Sequence, residues 1–417
     1  MAEKNPANTD EVNVEIHIEP TSINGGRGWK SWLKKYFWEG QTLDYDHNKV
    51  VSELSPDASF IERLLVHHRR LLGILIPMTF FITFWLAIVT KHNLWFTFKD
   101  NYFMSIVMVF GSLIAGMTSE GGGAIAFPVM TLAFNIHPNV ARDFSLIVQS
   151  CGMTAATFTI FFMRVKIDWT AIINCSIGGV FGVVFGLELI DPYLAPAQKK
   201  FIFVSVWFSF GFALFLLNRY HKRRTFLSIP RVNVWKICFL LVTGFFGGNF
   251  TAIAASGLDI CTFSILTLVF RVTEKTATPT SVVLMGGNTL FAFFWRDVMM
   301  HDGIHPDAWN YLVVSAPIVV IGAPLGSIIG THFHRLVLAT FVYIVGTASL
   351  IGAFAIIRPL TTLLICMSLG IIAFAFILFL SLTFLGQKLL KSVELDENST
   401  ITPDVPNTPN PINESLA

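Results

Sequence analysis

Charged residues are scarce in this chain: Asp, Glu, Lys and Arg make up 13% of its 417 residues, whereas soluble proteins carry about 25%. Hydrophobic residues reach 53%, including 40 Phe and 10 Trp, and the mean hydropathy is +0.62. This composition excludes an ordinary soluble domain and predicts a polytopic membrane protein. The net charge of +2 is too small to indicate a protein that binds nucleic acid.

Cysteine pairs and cofactor motifs are also missing. The five Cys are scattered through apolar segments without CxxC or Cys–His metal spacing, so we expect free buried thiols. No GxxxxGK[ST] motif is present, which leaves ATP-driven pumping by this chain unsupported. His332 and His334 cannot share a helix face, and His301 and His305 fall in a predicted loop. We therefore predict no enzyme activity, no metal site and no cofactor.

One apolar run is interrupted by residues that do not suit a membrane helix. Residues 116–128 read GMTSEGGGAIAFP, and a related stretch, GGNFTAIAASGLDI, follows at 247–260. Gly and Pro weaken a continuous helix, and unpaired backbone at membrane depth must be buried in protein or line a watery cavity. Two interrupted segments at matching places in two halves indicate a transporter's binding site.

The apolar pattern predicts an all-α fold with 10–12 membrane segments. Basic clusters before residue 71 and after residue 218 are expected in the cytoplasm, together with both termini. Six segments, or four full spans plus a re-entrant pair, both fit the region between those clusters. The predicted parts are a cytoplasmic tail (1–65), a first membrane half (66–218), a basic loop (219–234), a second half (235–386) and a disordered tail (387–417).

The two halves match at a nearly constant offset. The matched pairs are 136 residues apart at first, as in Gly121/Gly257, Ala141/Ala277 and Ser145/Ser281, and then 140 apart, as in Trp169/Trp309, Gly182/Gly322 and Gly186/Gly326. Each unit holds about five segments, an odd number, so two units in tandem would enter the membrane in opposite directions. The sequence therefore predicts two inverted repeats with broken, glycine-rich half-helices.

The glycine cluster, Pro128 and the following HPNVARDFSLIVQS stretch, repeated in the second half, resemble the TauE/SafE sulfite-exporter family over residues 105–353. The second half departs from the pattern, because Gly257, Leu258 and Asp259 stand where the first half has Gly121, Gly122 and Gly123. The resemblance implies a secondary transporter of a small anion, such as sulfite or an organosulfonate. We expect alternating access in the plasma membrane or an internal membrane, with a passive anion channel and a non-transporting scaffold subunit as alternatives.

Anion binding requires hydrogen-bond donors, which broken helices and glycines supply through backbone N–H groups. The predicted cradle consists of Ser119, Gly121, Gly122 and Gly123 in the first half and Ser256 and Gly257 in the second. Gln149, Ser150 and Asn288 follow the breaks, where they would complete the anion site or form interhelical hydrogen bonds.

Two carboxylates lie at the breaks. Glu120 and Asp259 are the ionisable residues nearest to them, and a carboxylate inside a membrane is a functional hypothesis by default. We predict that one of them carries a coupled proton. Other charges, such as Arg142 with Asp143, lie at predicted span ends, where they would snorkel to the interface, form boundary ion pairs or close a gate.

Overall fold

The computed structural model describes residues 66–118, 121–219, 225–330 and 335–401, together with Trp29, Phe37 and Phe333. Most of the predicted N-terminal tail, part of the basic loop, and Ser119 and Glu120 lie outside the described residues. Within them the chain forms helices and no β-strand.

Twelve α-helices occur in the described ranges: α1 (Arg69–Lys91), α2 (Thr97–Met117), α3 (Gly123–Pro128), α4 (Pro138–Phe162), α5 (Trp169–Phe185), α6 (Pro196–Arg219), α7 (Val234–Ala254), α8 (Leu258–Ser264), α9 (Glu274–Phe294), α10 (Pro306–Gly330), α11 (Arg335–Ile356) and α12 (Thr362–Ile401). Nine helical stretches in the same part of the chain are long and apolar enough to cross a membrane. The protein is therefore an all-α polytopic membrane protein. Helix α12 continues to Ile401, so it replaces the expected disorder over residues 387–401.

The two short helices share one local structure at the 136-residue offset. Each continues as a π-helical turn, Val129–Ala133 after α3 and Ile265–Val269 after α8. Each arm then ends with a left-handed residue, Asn135 (φ 52°) and Arg271 (φ 56°). The predicted correspondence therefore extends from residue identity to backbone conformation in these arms.

Each short arm folds back along the helix before it. The rings of Phe103, near the start of α2, and Phe134, after α3, have centroids 4.6 Å apart. The rings of Trp235, at the start of α7, and Phe270, after α8, are 6.2 Å apart. Both arms are therefore re-entrant hairpins, α2–α3 and α7–α8. In the described first half, five long helices are apolar and long enough to cross a membrane, α2 among them, and the short α3 folds back along α2.

The hairpins approach from opposite ends of the bundle, which we call the Asp143 end and the Arg271 end after a residue at each. Helix α4 starts at the Asp143 end, and α9 runs antiparallel to it, since Arg296 contacts Asp143 while Gly286 lies beside Met153. Helix α2 runs parallel to α10, which starts at the Asp143 end. Helix α7 runs parallel to α5, which starts at the other end. Matched elements of the two halves thus run antiparallel.

Glycines set the spacing of the central helices. Gly178 and Gly182 of α5, and Gly186 in the π-helical turn directly after it, lie against α7. Gly322, Gly326 and Gly330 of α10 lie against α2. Small residues allow membrane helices to approach backbone to backbone. Helices α1 and α12 have few buried residues and expose large apolar side chains, which suits contact with lipid.

Replacing Gly248 by Ala should lower the melting temperature in detergent. A Cβ there would lie 2.9 Å from the backbone nitrogen of Val183 and closer still to the Gly179 carbonyl oxygen, so α5 and α7 must separate. Overpacking of this kind costs about 1–3 kcal/mol, more than the gain of about 0.5–1 kcal/mol from replacing a helical Gly. Gly370→Ala is the matched control, because nothing lies within 4 Å of its added Cβ. Equal melting temperatures for the two variants would contradict the close packing of α5 and α7.

Candidate functional site

The two helix breaks meet at the carboxylate of Asp259. Its Oδ2 accepts hydrogen bonds from the backbone N–H of Gly121 (3.2 Å) and from the hydroxyl of Ser256 (3.0 Å), and its Oδ1 accepts one from the N–H of Gly257 (2.8 Å). The residue is 1% exposed. Because one break is reached from the Asp143 end and the other from the Arg271 end, their contact lies inside the bundle, between both ends.

Local sequence explains why a carboxylate sits there. Asp259 is the second residue of α8, where a negative charge stabilises the positive end of a helix. Thr251 supports the same turn by accepting a bond from the N–H of Leu258 (3.3 Å). The counterpart of Asp259 in the first half, 136 residues earlier, is Gly123. The two breaks therefore share one carboxylate among the described residues.

Gln149 faces the first break. It lies on α4 and is 1% exposed, and neither its amide nitrogen nor its amide oxygen has a hydrogen-bond partner among the described residues. A Cβ at Gly121 would lie 2.6 Å from Gln149 Oε1, and one at Gly123 would lie 2.9 Å from its Cδ. The hydroxyl of Ser145, one turn earlier, is likewise buried without a partner in the described chain.

Asn288 faces the second break. It lies on α9, is 4% exposed, and has both amide atoms unpartnered within the described ranges. A Cβ at Gly179 would lie 2.9 Å from Asn288 Oδ1 and 3.2 Å from the side chain of Leu258. The helix after each break thus carries a buried amide directed at that break. Among the described residues, neither amide forms the interhelical hydrogen bond that was one of its two expected roles.

The remaining predicted site residues differ in their surroundings. The hydroxyl of Ser150 donates to the carbonyl oxygen of Ile147 (2.8 Å), so it serves its own helix. Gly122 is the N-cap of α3 and is buried, and Ser256 and Gly257 bind Asp259. Ser119 and Glu120 lie outside the described residues.

A buried ion network closes the Asp143 end. Arg142 contacts Asp143 (2.8 Å) and Asp191, Lys199 contacts Asp191 (2.7 Å), and Arg296 contacts Asp143 (3.3 Å). Arg142 and Asp143 are 2% and 0% exposed, so the expected ion pair forms, but it is buried in the protein and neither side chain snorkels to the interface. Asp191, Lys199 and Arg296 were not predicted as partners, although their charges at span ends were visible in the sequence.

His137 lies beside this network, outside the membrane-spanning helices. Its pKa is lowered by partial loss of solvent and by the nearby charges of Lys199 and Lys200. Its Nδ1 accepts a hydrogen bond from the N–H of Asn139 (3.3 Å) at the start of α4. The lowered pKa favours the neutral ring, which can keep that acceptor.

These positions separate two kinds of polar chemistry. Among the described residues, full positive charges lie in the ion network at one end, while the centre holds amides, backbone N–H groups and the carboxylate of Asp259. In the part of the chain that the structure describes, no three His, Cys, Asp or Glu residues are grouped to hold a metal ion. The centre can therefore bind an anion through neutral donors.

Replacing Asp143 by Asn should destabilise the protein, because it leaves two buried guanidinium groups, Arg142 and Arg296, without this carboxylate. Breaking a buried ion pair from one side costs about 3–5 kcal/mol. Thermal unfolding in detergent measures the loss. Asp307→Asn is the control at the same end, since that side chain is 59% exposed. Similar melting temperatures for the two variants would show that the network does not stabilise the fold.

The comparisons with known proteins agree with this architecture. The family model described as Sulfite exporter TauE/SafE matches residues 104–353, from α2 to α11. The searches of curated proteins and of solved structures each found no match. The family is one of multi-pass membrane transporters or exporters of sulfur anions. Because the match covers more than half of the chain, this protein belongs to the TauE/SafE sulfite exporter family.

Proposed function

We propose that this protein is a secondary transporter of sulfite or an organosulfonate that works by alternating access. The observation that carries the proposal is the meeting of the two breaks between the ends of the bundle, flanked by the unpartnered amides of Gln149 and Asn288. Substrate sites of many secondary transporters lie near the bilayer midplane at discontinuous helices. The substrate would bind where the two hairpins touch.

The chemistry of these groups suits an oxyanion. A buried amide without a hydrogen bond costs free energy, and each NH₂ group offers two donors. The oxygens of a sulfite or sulfonate group would accept from Gln149, Asn288 and the N–H groups of Gly121, Gly122, Gly123 and Gly257. Ser119 and Ser256 would add hydroxyl donors, and Ser150 would contribute only if its helix bond opened.

Asp259 supports coupling to a proton. In its ionised form the carboxylate uses donors at both breaks, Gly121 N–H and Gly257 N–H, so it competes with an anionic substrate. Protonation makes Asp259 a weaker acceptor and frees these donors. Proton and anion would then bind together and move in the same direction. Glu120 is the second candidate for the coupled proton.

The directions of the helices support the mechanism. Matched elements run antiparallel and the two hairpins enter from opposite ends, which is the arrangement expected of inverted repeats. Alternating access would open the central site first to one end and then to the other. The ion network around Asp143 would break and re-form as that end opens and closes.

The Arg271 end would face the cytoplasm. Arg231, in the described part of the basic loop, and Arg69, at the start of α1, lie at this end, and Lys and Arg near spans mark the cytoplasmic side. Both termini would then be cytoplasmic, with the membrane halves at 66–218 and 235–386. We propose the plasma membrane as the site of action.

The double variant Gln149→Met with Asn288→Leu should lose at least about tenfold in sulfite uptake, because each lost hydrogen bond to a charged ligand is worth about 1.5–3 kcal/mol. Met is chosen to replace Gln149 because Met285 is the counterpart of Gln149 in the second half. Uptake of labelled sulfite into proteoliposomes measures the effect, and counterflow into sulfite-loaded vesicles distinguishes a carrier from a channel.

The melting temperature separates a binding role of the amides from a structural one. Removing buried polar groups that lack partners should leave stability unchanged or raised. Ser150→Ala is the control, since its hydroxyl bonds within its own helix. A double variant that melts earlier but still takes up sulfite would rule out the binding role.

Asp259→Asn should abolish the stimulation of uptake by an inward proton gradient. In the wild type, uptake should rise as the outer pH falls, because protonation frees donors at the breaks. Because Asn cannot ionise, sulfite uptake by the Asp259→Asn variant should not depend on the proton gradient. Asp297→Asn is the control, since Asp297 is exposed at the Asp143 end. If the proton gradient still stimulated uptake by Asp259→Asn, Asp259 would not carry the coupled proton. Glu120 would then be the remaining candidate, and Glu120→Gln would test it in the same way.

A further inference from the structure

A separate cavity lies at the Arg271 end, away from the helix breaks. It encloses about 140 Å³ between the start of α7, the tip of the α7–α8 hairpin and the late part of α12. Among the described residues, three cationic side chains line it, Arg231, Lys236 and Arg271, and no acidic side chain does. The described lining of the cavity is therefore cationic.

Lys236 contributes a buried charge to this cavity. It is 6% exposed, and its ammonium donates to the carbonyl oxygens of Pro230 and Arg231 (3.1 Å to the latter). It also lies 5.9 Å from the ring centroids of Trp235 and Phe270. No carboxylate pairs with Lys236 among the described residues. A buried cation without a counter-ion favours the entry of an anion.

The start of α7 adds to the positive potential. Asn233, at the N-cap, makes no side-chain capping bond, and it lines the cavity together with Trp235 and Lys236. A helix N-terminus carries partial positive charge and directs N–H groups outward. The cavity therefore combines three side-chain cations with the open end of a 21-residue helix.

The other walls of the cavity are apolar and border the lipid-facing surface. Phe270, Leu389 and Leu390 line it, and Trp235 is 40% exposed beside it. Trp is enriched where membrane helices meet the headgroup region, and anionic lipids lie in the cytoplasmic leaflet. An anionic group with attached hydrocarbon fits these walls better than a free ion does.

We propose that this cavity binds the headgroup phosphate of an anionic phospholipid. The phosphate oxygens would contact Arg231, Lys236 and the start of α7, and the acyl chains would follow Leu389 and Leu390 along α12. The lipid would join the hairpin tip to α12. The proposal does not depend on the transported substrate.

Melting of the full-length protein in detergent tests the proposal. We would add dioctanoyl phosphatidylglycerol, dioctanoyl phosphatidylcholine or inorganic phosphate, each over a concentration series. We expect saturable stabilisation by phosphatidylglycerol alone. Arg231→Gln should weaken the apparent affinity of the protein for phosphatidylglycerol about fivefold, because one basic residue near a membrane surface contributes about 1 kcal/mol. Lys236→Gln should act in the same direction.

Lys166→Gln is the matched control, because it removes an exposed lysine from the loop between α4 and α5 at the same end. It should leave the phosphatidylglycerol affinity unchanged. Arg231 is exposed, so its variant is expected to fold even if the Lys236 variant does not. Equal affinity in wild type and Arg231→Gln, an equal response to phosphatidylcholine, or an equal effect of inorganic phosphate would each overturn the proposal.

Discussion

A hydrogen bond between the N–H of Gly121 and the carboxylate of Asp259 joins the two interrupted segments, and much of the structure depends on it. A helix that breaks inside an apolar interior leaves backbone groups unpaired, which costs several kcal/mol for each group in lipid. Here a side chain from one hairpin satisfies a donor of the other. Neither hairpin is complete alone, so the two must meet, and the glycine-lined pairs of α2 with α10 and α5 with α7 hold them in place.

Within the described residues, the centre is neutral apart from the carboxylate of Asp259. Arg142, Lys199 and Arg296 are held by Asp143 and Asp191 at one end, and Asp143 lies about 9 Å along α4 from Gln149. A permanent cation at the centre would bind an anion tightly and slow its release. Amides and backbone N–H groups offer weaker, directional contacts. This arrangement suits a protein that must release its substrate as well as bind it.

The breaks were predictable because glycine clusters and a constant offset are local features of the sequence. The direction of the short arms was not, because re-entrant and spanning segments satisfy the same charge pattern. Nothing in the sequence favoured Gln149 over its neighbour Ser150 as a site residue. The rotation of α4 decides between them: it directs Gln149 to the first break and leaves Ser150 bonded within its own helix. The partners of Asp143 were also hidden, since Arg296 lies 153 residues away and packing alone brings them together.

The two halves share a backbone pattern but differ in the residues that face the breaks. Gly123 corresponds to Asp259 and Gln149 to Met285, so the amide serves the first break and the carboxylate joins both. If the two halves carried identical side chains at the breaks, the inward-open and outward-open states would present the same groups to the two sides of the membrane. Among the described residues Asp259 is the one carboxylate at the breaks, so under the proposed mechanism the donors at both breaks would respond to its protonation. Under the proposed mechanism, protonation of Asp259 would free donors at both breaks at once, and this coupling of a proton to the anion is what would let a proton gradient drive the transport.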